Sequence, residues 1–153
     1  MSSYSRFEDL PVWQEGARLY NAVLDLFEQP GRDFSLAFRD QLNRAGLSVS
    51  NNIAEGFERM TTAELLGYLE IARGSAGEVR SMVTVVQQRK RLDRHRDQLT
   101  SIRQLAESCS KQIGAWMMAI ERSPVKGKRH LTRRIPDVEI RRESSHHRPL
   151  EGR

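Results

Sequence analysis

The chain has 153 residues, of which 29% are charged and 7% aromatic, with a formal net charge of +5. That length supports a single core, and no apolar run approaches the ~20 residues that a membrane span requires. One cysteine, Cys109, excludes an internal disulfide. Residues 1–6 lack the apolar stretch of a secretory signal, so a cytoplasmic protein is expected.

Residues 1–9 are polar and read as a flexible lead-in. Leu10-Pro11 opens the first helix, because proline suits a first helical position where its missing N–H costs nothing; Asp9 or Leu10 would be the cap. Trp13, Ala17, Tyr20, Leu24 and Phe27 recur at spacings of four and three, which is one helical face. Gln29-Pro30-Gly31 ends it. The second helix starts near Asp33 or Ser35, both able N-caps. Its stripe is Phe38, Leu42, Ala45, Val49, Asn52/Ile53 and Gly56. The stripe becomes small toward its end, which lets a neighbouring helix approach. Gly56 costs ~1 kcal/mol against alanine inside a helix, so close packing or a helix end is expected there.

Thr61-Thr62-Ala63-Glu64 is a capping-box pattern. It opens a third helix with the stripe Leu65, Leu69, Ala72, Ala76, Val79, Val83 and Val86. So regular a repeat predicts packing at shallow angles. Gly74-Ser75-Ala76-Gly77 reads as a second close-contact surface. The basic run Gln88-Arg89-Lys90-Arg91 closes the helix, where cations suit the dipole. Asp93 is the expected cap of the fourth helix, which carries Leu99, Ile102, Leu105/Ala106, Cys109, Ile113, Trp116 and Ile120 and stops at Ser123-Pro124. Cys109 falls on a core position and reads as buried and inert. Trp13, Tyr20 and Trp116 read as core aromatics. From residue 125 no apolar face of useful size forms, so ordering entropy should win.

The fold expected is therefore all-α, an antiparallel up-down-up-down four-helix bundle over residues 10–123. A flexible segment, 1–9, precedes it, and a basic, disordered C-terminal tail, 124–153, follows.

Charge is unevenly spread. Residues 1–60 hold 6 basic and 9 acidic side chains (net −3), residues 61–123 hold 10 and 7 (net +3), and residues 124–153 hold 9 and 4 (net +5). Such a gradient points to a polyanionic partner. The densest cluster within the bundle is Arg89, Lys90, Arg91, Arg94 and Arg96, a candidate phosphate-contact patch or simply a solvated helix end. In the tail, Lys126, Lys128, Arg129, Arg133 and Arg134 are candidates for a nucleic-acid arm. No aromatic residue interleaves them, so base stacking is unsupported and binding would be largely sequence-independent.

Asn51, Asn52, Glu55 and Arg59 form a second group. Asn52, Glu55 and Arg59 share one side of a helix, and Glu55–Arg59 is a favourable i,i+4 pair. They read as a structural polar network that fixes register rather than as a catalytic site. Arg44, Arg59 and Arg73 either face one polyanion groove or serve in exposed or intersubunit ion pairs. His130, His146 and His147, and the Glu143–His146 spacing, do not amount to a metal site. No cofactor, metal or catalytic group is expected.

Several of these segments resemble the four-helix bundle protein family, also called the 23S ribosomal RNA intervening-sequence protein family. They are Phe7-Glu8-Asp9-Leu10-Pro11-Val12-Trp13-Gln14, Leu36 through Gln41-Leu42-Asn43-Arg44-Ala45, Ser48-Val49-Ser50-Asn51-Asn52-Ile53-Ala54-Glu55-Gly56 with Arg59, and Glu64 through Tyr68-Leu69, then Ile71-Ala72-Arg73-Gly74-Ser75 and Glu78. The resemblance covers roughly residues 5–120; residues 124–153 extend beyond its pattern. It implies a left-handed bundle that assembles into a homopentamer. A more distant resemblance to accessory proteins of diversity-generating retroelements implies binding to nucleic acid and to a reverse transcriptase. The function expected is thus a non-enzymatic, oligomeric bundle that binds RNA or DNA. The alternative is an assembly module for a protein partner such as a reverse transcriptase.

Overall fold

A computed structural model describes residues 4–30 and 33–124. Four helices account for most of them: α1 (Pro11–Glu28), α2 (Leu36–Glu58), α3 (Thr62–Val86) and α4 (Arg96–Arg122). The cross-helix contacts run in opposite senses. Ser48 meets Ser75 and Glu55 meets Tyr68, so α2 and α3 are antiparallel. On the other side, Gly16 lies against Val49 and Ser50, and Tyr20 lies against Gly46. Each helix packs on two neighbours, with α1 closing the ring against α4. The expected up-down-up-down bundle is what forms.

Local chemistry sets the boundaries. Pro11 takes the first position of α1 with Leu10 as its cap. The Ser35 hydroxyl accepts from the Phe38 N–H at the start of α2. Thr61 accepts from the Glu64 N–H and donates to the Glu64 carboxylate, the expected capping pair at α3. Residues 7–9, read as part of a flexible lead-in, close a 3-10 turn, and Phe7 packs on Trp13 at 5.3 Å between ring centroids. This turn leads into α1, at 18 residues the shortest of the four α-helices.

The stripes of α3 and α4 are buried as expected: Leu65, Leu69, Ala72, Ala76, Val79 and Val83 face Leu99, Ile102, Ala106, Cys109, Ile113 and Trp116 around one core. Burial pushes the Cys109 thiol up to about 12, so it stays protonated and unreactive. In α1 the expected register is wrong by one residue. The buried face is Val12, Gly16, Leu19, Val23 and Leu26, and the aromatic ladder Trp13, Tyr20 and Phe27 is only half-buried. Both ladders keep the same four-three spacing. The aliphatic one takes the centre because the four-helix interior is narrow, and the broad rings fill the boundary with α2.

Asp93 does not cap α4. The N-cap is His95, without a side-chain hydrogen bond, because residues 90–95 continue as a 3-10 helix. For the same reason the basic run follows α3 instead of ending it, since α3 stops at Val86. A Cβ at Gly74 or Gly77 would meet nothing outside its own helix within 4 Å. Within the chain, then, their expected close contact is absent, although Ala76 is fully buried between them.

Candidate nucleic-acid interface

The connections α1–α2 and α3–α4 lie at the same end of an antiparallel bundle, and the basic cluster sits there. Its arrangement follows from the 3-10 helix Lys90–His95. Side chains three apart eclipse in such a helix. Leu92 and His95 both turn inward and are buried, at 3% and 4% exposure. That leaves two outer rows. Arg91 and Arg94 form one, and Lys90, Asp93 and Arg96 form the other.

The first row grips the end of the α1–α2 connection. Arg94 donates to the Pro30 carbonyl at 2.8 Å and pairs with the Asp33 carboxylate, and Arg91 donates to the Asp33 backbone carbonyl. His95 Nε2 lies 2.8 Å from the same Asp33 oxygen that Arg94 meets. The His95 hydrogen bond, and then Arg94, hold the Asp33 carboxyl below the usual carboxylate range. Arg94 Nε also donates toward His95 Nε2, at 3.1 Å, so this ring nitrogen lies between the Arg94 guanidinium and the Asp33 carboxylate. The His95 ring packs at 5.2 Å on Phe34, which stacks on Phe38 at 5.4 Å and meets Phe27 edge-on. Arg39 lies over the Phe27 ring and donates to the Phe27 carbonyl.

In the second row Arg96 pairs with Asp93. Arg89 and Lys90 are exposed and have no side-chain partner among the described residues. The five cations expected to act together are therefore gathered at one end, but they divide. Arg91 and Arg94 clamp the connection, Arg96 is paired locally, and Arg89 and Lys90 face solvent. Lys126, Lys128, Arg129, Arg133 and Arg134 lie outside the described residues, as do the tail histidines.

The polar group on α2 and α3 resolves into two parts, one half-way along the bundle and one at its opposite end. In one, Asn52 donates to the Ser48 carbonyl (2.7 Å) and Ser48 hydroxyl (2.9 Å), and Ser48 lies 2.8 Å from Ser75, which donates to the Ile71 carbonyl. These bonds run in one direction and leave Ser48 as donor to Ser75. In the other, the Tyr68 hydroxyl donates to Glu55 at 2.9 Å, and Arg59 donates to both Tyr68 (2.6 Å) and Glu55 while stacking over the Tyr68 ring. Tyr68 first, then Arg59, hold the Glu55 carboxyl low, and the bond to Glu55 raises the Tyr68 phenol. Asn51 is exposed and stands outside both parts. Arg44, Arg59 and Arg73 do not share a groove: Arg44 reaches Gln41, whereas the Arg73 guanidinium lies beside Gly114 of α4.

Sequence reasoning missed Asp33 and His95 as a pair, and Ser48, Tyr68 and Ser75 as members of the polar group. The turn of a few residues between α2 and α3 carried the signal for Tyr68, since such a turn sets Glu55 opposite it. For His95 the signal was its spacing of three from Leu92.

Among the described residues, no group of His, Cys, Asp or Glu side chains is placed to hold a metal. No helix among them is long and apolar enough to cross a membrane. The arrangement is that of a helical scaffold, an antiparallel four-helix bundle stapled between α2 and α3 and carrying a cluster of cations at one end. The sequence model of the 23S rRNA-intervening sequence protein family matches residues 8–115, and the chain belongs to that family. No curated protein matches the sequence.

Proposed function

We propose that this chain is a non-enzymatic, oligomeric scaffold that binds RNA or DNA, largely independently of sequence, through its basic end. The observation that carries this reading is the exposure of Arg89 and Lys90 without a side-chain partner among the described residues, beside the partly exposed Arg94 and Arg96. Cations with no internal partner gain from phosphates by releasing the counterions that condense on the nucleic acid. The aromatic rings at this end stack on one another and on the core, so the chemistry offered is charge rather than base stacking.

Fluorescence anisotropy with labelled duplex and single-stranded oligonucleotides, at low and moderate salt, tests it. Binding should weaken steeply with salt. The double variant Arg89→Ala/Lys90→Ala should lower affinity for every sequence and reduce the salt slope by about 1 per lost phosphate contact. No binding by the unaltered chain at low salt sinks the proposal. Comparing the full chain with residues 1–123 separates the tail's share.

A second reading, an assembly module, is favoured by the outer face of α3. Ile71 and Val85 are 52% and 73% exposed there, and Gly67, Gly74 and Gly77 leave open space along the same helix. Three open glycines each cost ~1 kcal/mol of helix propensity, a cost that contact with another chain would explain. That chain would be a second copy, as in a homopentamer, or a protein such as a reverse transcriptase. Native mass spectrometry of the unaltered chain and of Gly74→Leu addresses it: a monomer in both cases speaks against self-assembly.

A further inference from the structure

Asp33 occupies a position that a phosphate would suit better. One of its oxygens meets both the Arg94 guanidinium and the His95 Nε2, the latter at 2.8 Å, and Arg94 Nε lies 3.1 Å from the same ring nitrogen. The carboxylate is 27% exposed, so it is reachable from solvent, whereas the His95 side chain is 5% exposed. The donors are held by contacts that do not involve this carboxylate. Arg94 is fixed by the Pro30 carbonyl, Arg91 by the Asp33 backbone carbonyl, and the His95 ring by Phe34. Beside them opens a small recess of about 10 Å³, room for one water, whose lining includes Arg39, Arg94, His95, Phe27 and Phe34, so a larger anion enters only by taking the place of the Asp33 side chain.

We propose that Arg94, His95 and Arg39 form a receptor for a phosphate monoester, and that Asp33 is its resident stand-in, displaced when the ligand binds. The proposal rests on the nucleic-acid reading for the natural source of the ligand, a terminal phosphate on a strand. A phosphate monoester carries about −1.5 to −2 charges at pH 7 and three acceptor oxygens, against one charge and two oxygens for the carboxylate. It can meet the Arg94 guanidinium through one oxygen and the His95 ring through another, where the carboxylate uses a single oxygen for both. Arg39, which now covers the Phe27 ring, stands across the recess. The tethered Asp33 competes with any added anion, so the unaltered chain binds weakly. Removing its charge without changing its shape opens the receptor.

The test is calorimetric titration with inorganic phosphate, then with matched oligonucleotides ending in a 5′-phosphate or a 5′-hydroxyl. Asp33→Asn should bind inorganic phosphate about tenfold or more tightly than the unaltered chain, and Arg94→Gln added to it should abolish the gain. Equal affinity in Asp33→Asn and the unaltered chain overturns the receptor. A preference of Asp33→Asn for the 5′-phosphate oligonucleotide supports the terminal-phosphate source. Tight inorganic phosphate binding without that preference supports the receptor but removes its nucleic-acid ligand. If Asp33→Asn does not fold, the His95 ring resonances of the unaltered chain give the answer. Titrated phosphate shifts them if Asp33 is displaced, and unmoved resonances at saturating phosphate overturn the proposal.

Discussion

The two ends of the bundle use their charge differently. Where α2 turns into α3, Arg59 meets Glu55, and Tyr68 lies between them as both donor and acceptor. Gly56 sits beneath, buried against the same tyrosine. At the opposite end the cations Arg39, Arg89, Lys90, Arg91, Arg94 and Arg96 stand among as many acids, Asp25, Glu28, Asp33, Asp40, Asp93 and Asp97, of which Asp33 and Asp93 pair with them. The first end is interlocked by shape and matched charge. The second holds together through Asp33 and leaves Arg89 and Lys90 exposed without a side-chain partner among the described residues. A fold needs only the first arrangement, so these two open cations are where a partner is to be sought.

The interlock breaks most readily at Gly56. A Cβ there would come within 2.9 Å of the Tyr68 Cβ and 3.1 Å of Leu65 Cδ1. The Tyr68 Cβ cannot rotate away, because it is fixed to the α3 backbone. Gly56→Val should therefore lose roughly 2–3 kcal/mol by overpacking and lower the melting temperature by roughly 10 °C. Circular dichroism melting checks this.

The outer glycines predict the opposite sign. With nothing within 4 Å, Gly74→Ala and Gly77→Ala meet no clash. Each should stabilise the folded chain by ~1 kcal/mol through helix propensity, visible as a higher urea midpoint at unchanged slope. A loss at either position would mean that the outer face of α3 is already in contact with another chain.

The two carboxylates sharpen the contrast in acid. Asp33 and Glu55 are both held low, by His95 and Arg94 and by Tyr68 and Arg59 respectively. A carboxyl with a lowered folded pKa adds stability above its ordinary value and loses it as pH falls through the folded one. That loss begins below about 3.8 for Asp33 and about 4.5 for Glu55. Asp33→Asn should flatten the acid limb of the stability curve in the lower window, and Glu55→Gln in the upper one. Urea unfolding at stepped pH separates them.

Helix-level features were legible in the sequence because they depend on neighbours a few residues apart. The α3 and α4 stripes, the Ser35 and Thr61 caps and the small-residue approach at Gly56 all came from local spacing. The α1 register did not, because Trp13-Ala17-Tyr20 and Val12-Gly16-Leu19 keep the same period and only the width of the interior decides between them. The Asp33–His95 pair was hidden for another reason. It joins residues 62 apart, and it needs the 3-10 helix that sequence reading replaced with an Asp93 cap. The basic cluster was found by composition alone. Its division into clamped and open cations needed that helix's threefold period.

The smallest effect belongs to the alkaline limb, and it is confined to one end. Hydrogen bonding to Glu55, then burial, raises the Tyr68 phenol above its ordinary value of 10.0. A group with a raised folded pKa contributes stability below its unfolded value and loses it as pH rises through the folded one. The α2–α3 end should therefore loosen above pH 10, where the phenolate would face the Glu55 carboxylate. Tyr68→Phe keeps the ring against Gly56 and under Arg59 but removes the proton. It should leave the melt near neutral pH slightly lower and abolish this share of the alkaline slope. Amide exchange at the α2–α3 turn, followed from below to above that value in both chains, reads the difference locally. If the unaltered chain and Tyr68→Phe loosen alike, Arg59 and Glu55 hold the turn without the tyrosine's proton, and the interlock is one of shape alone.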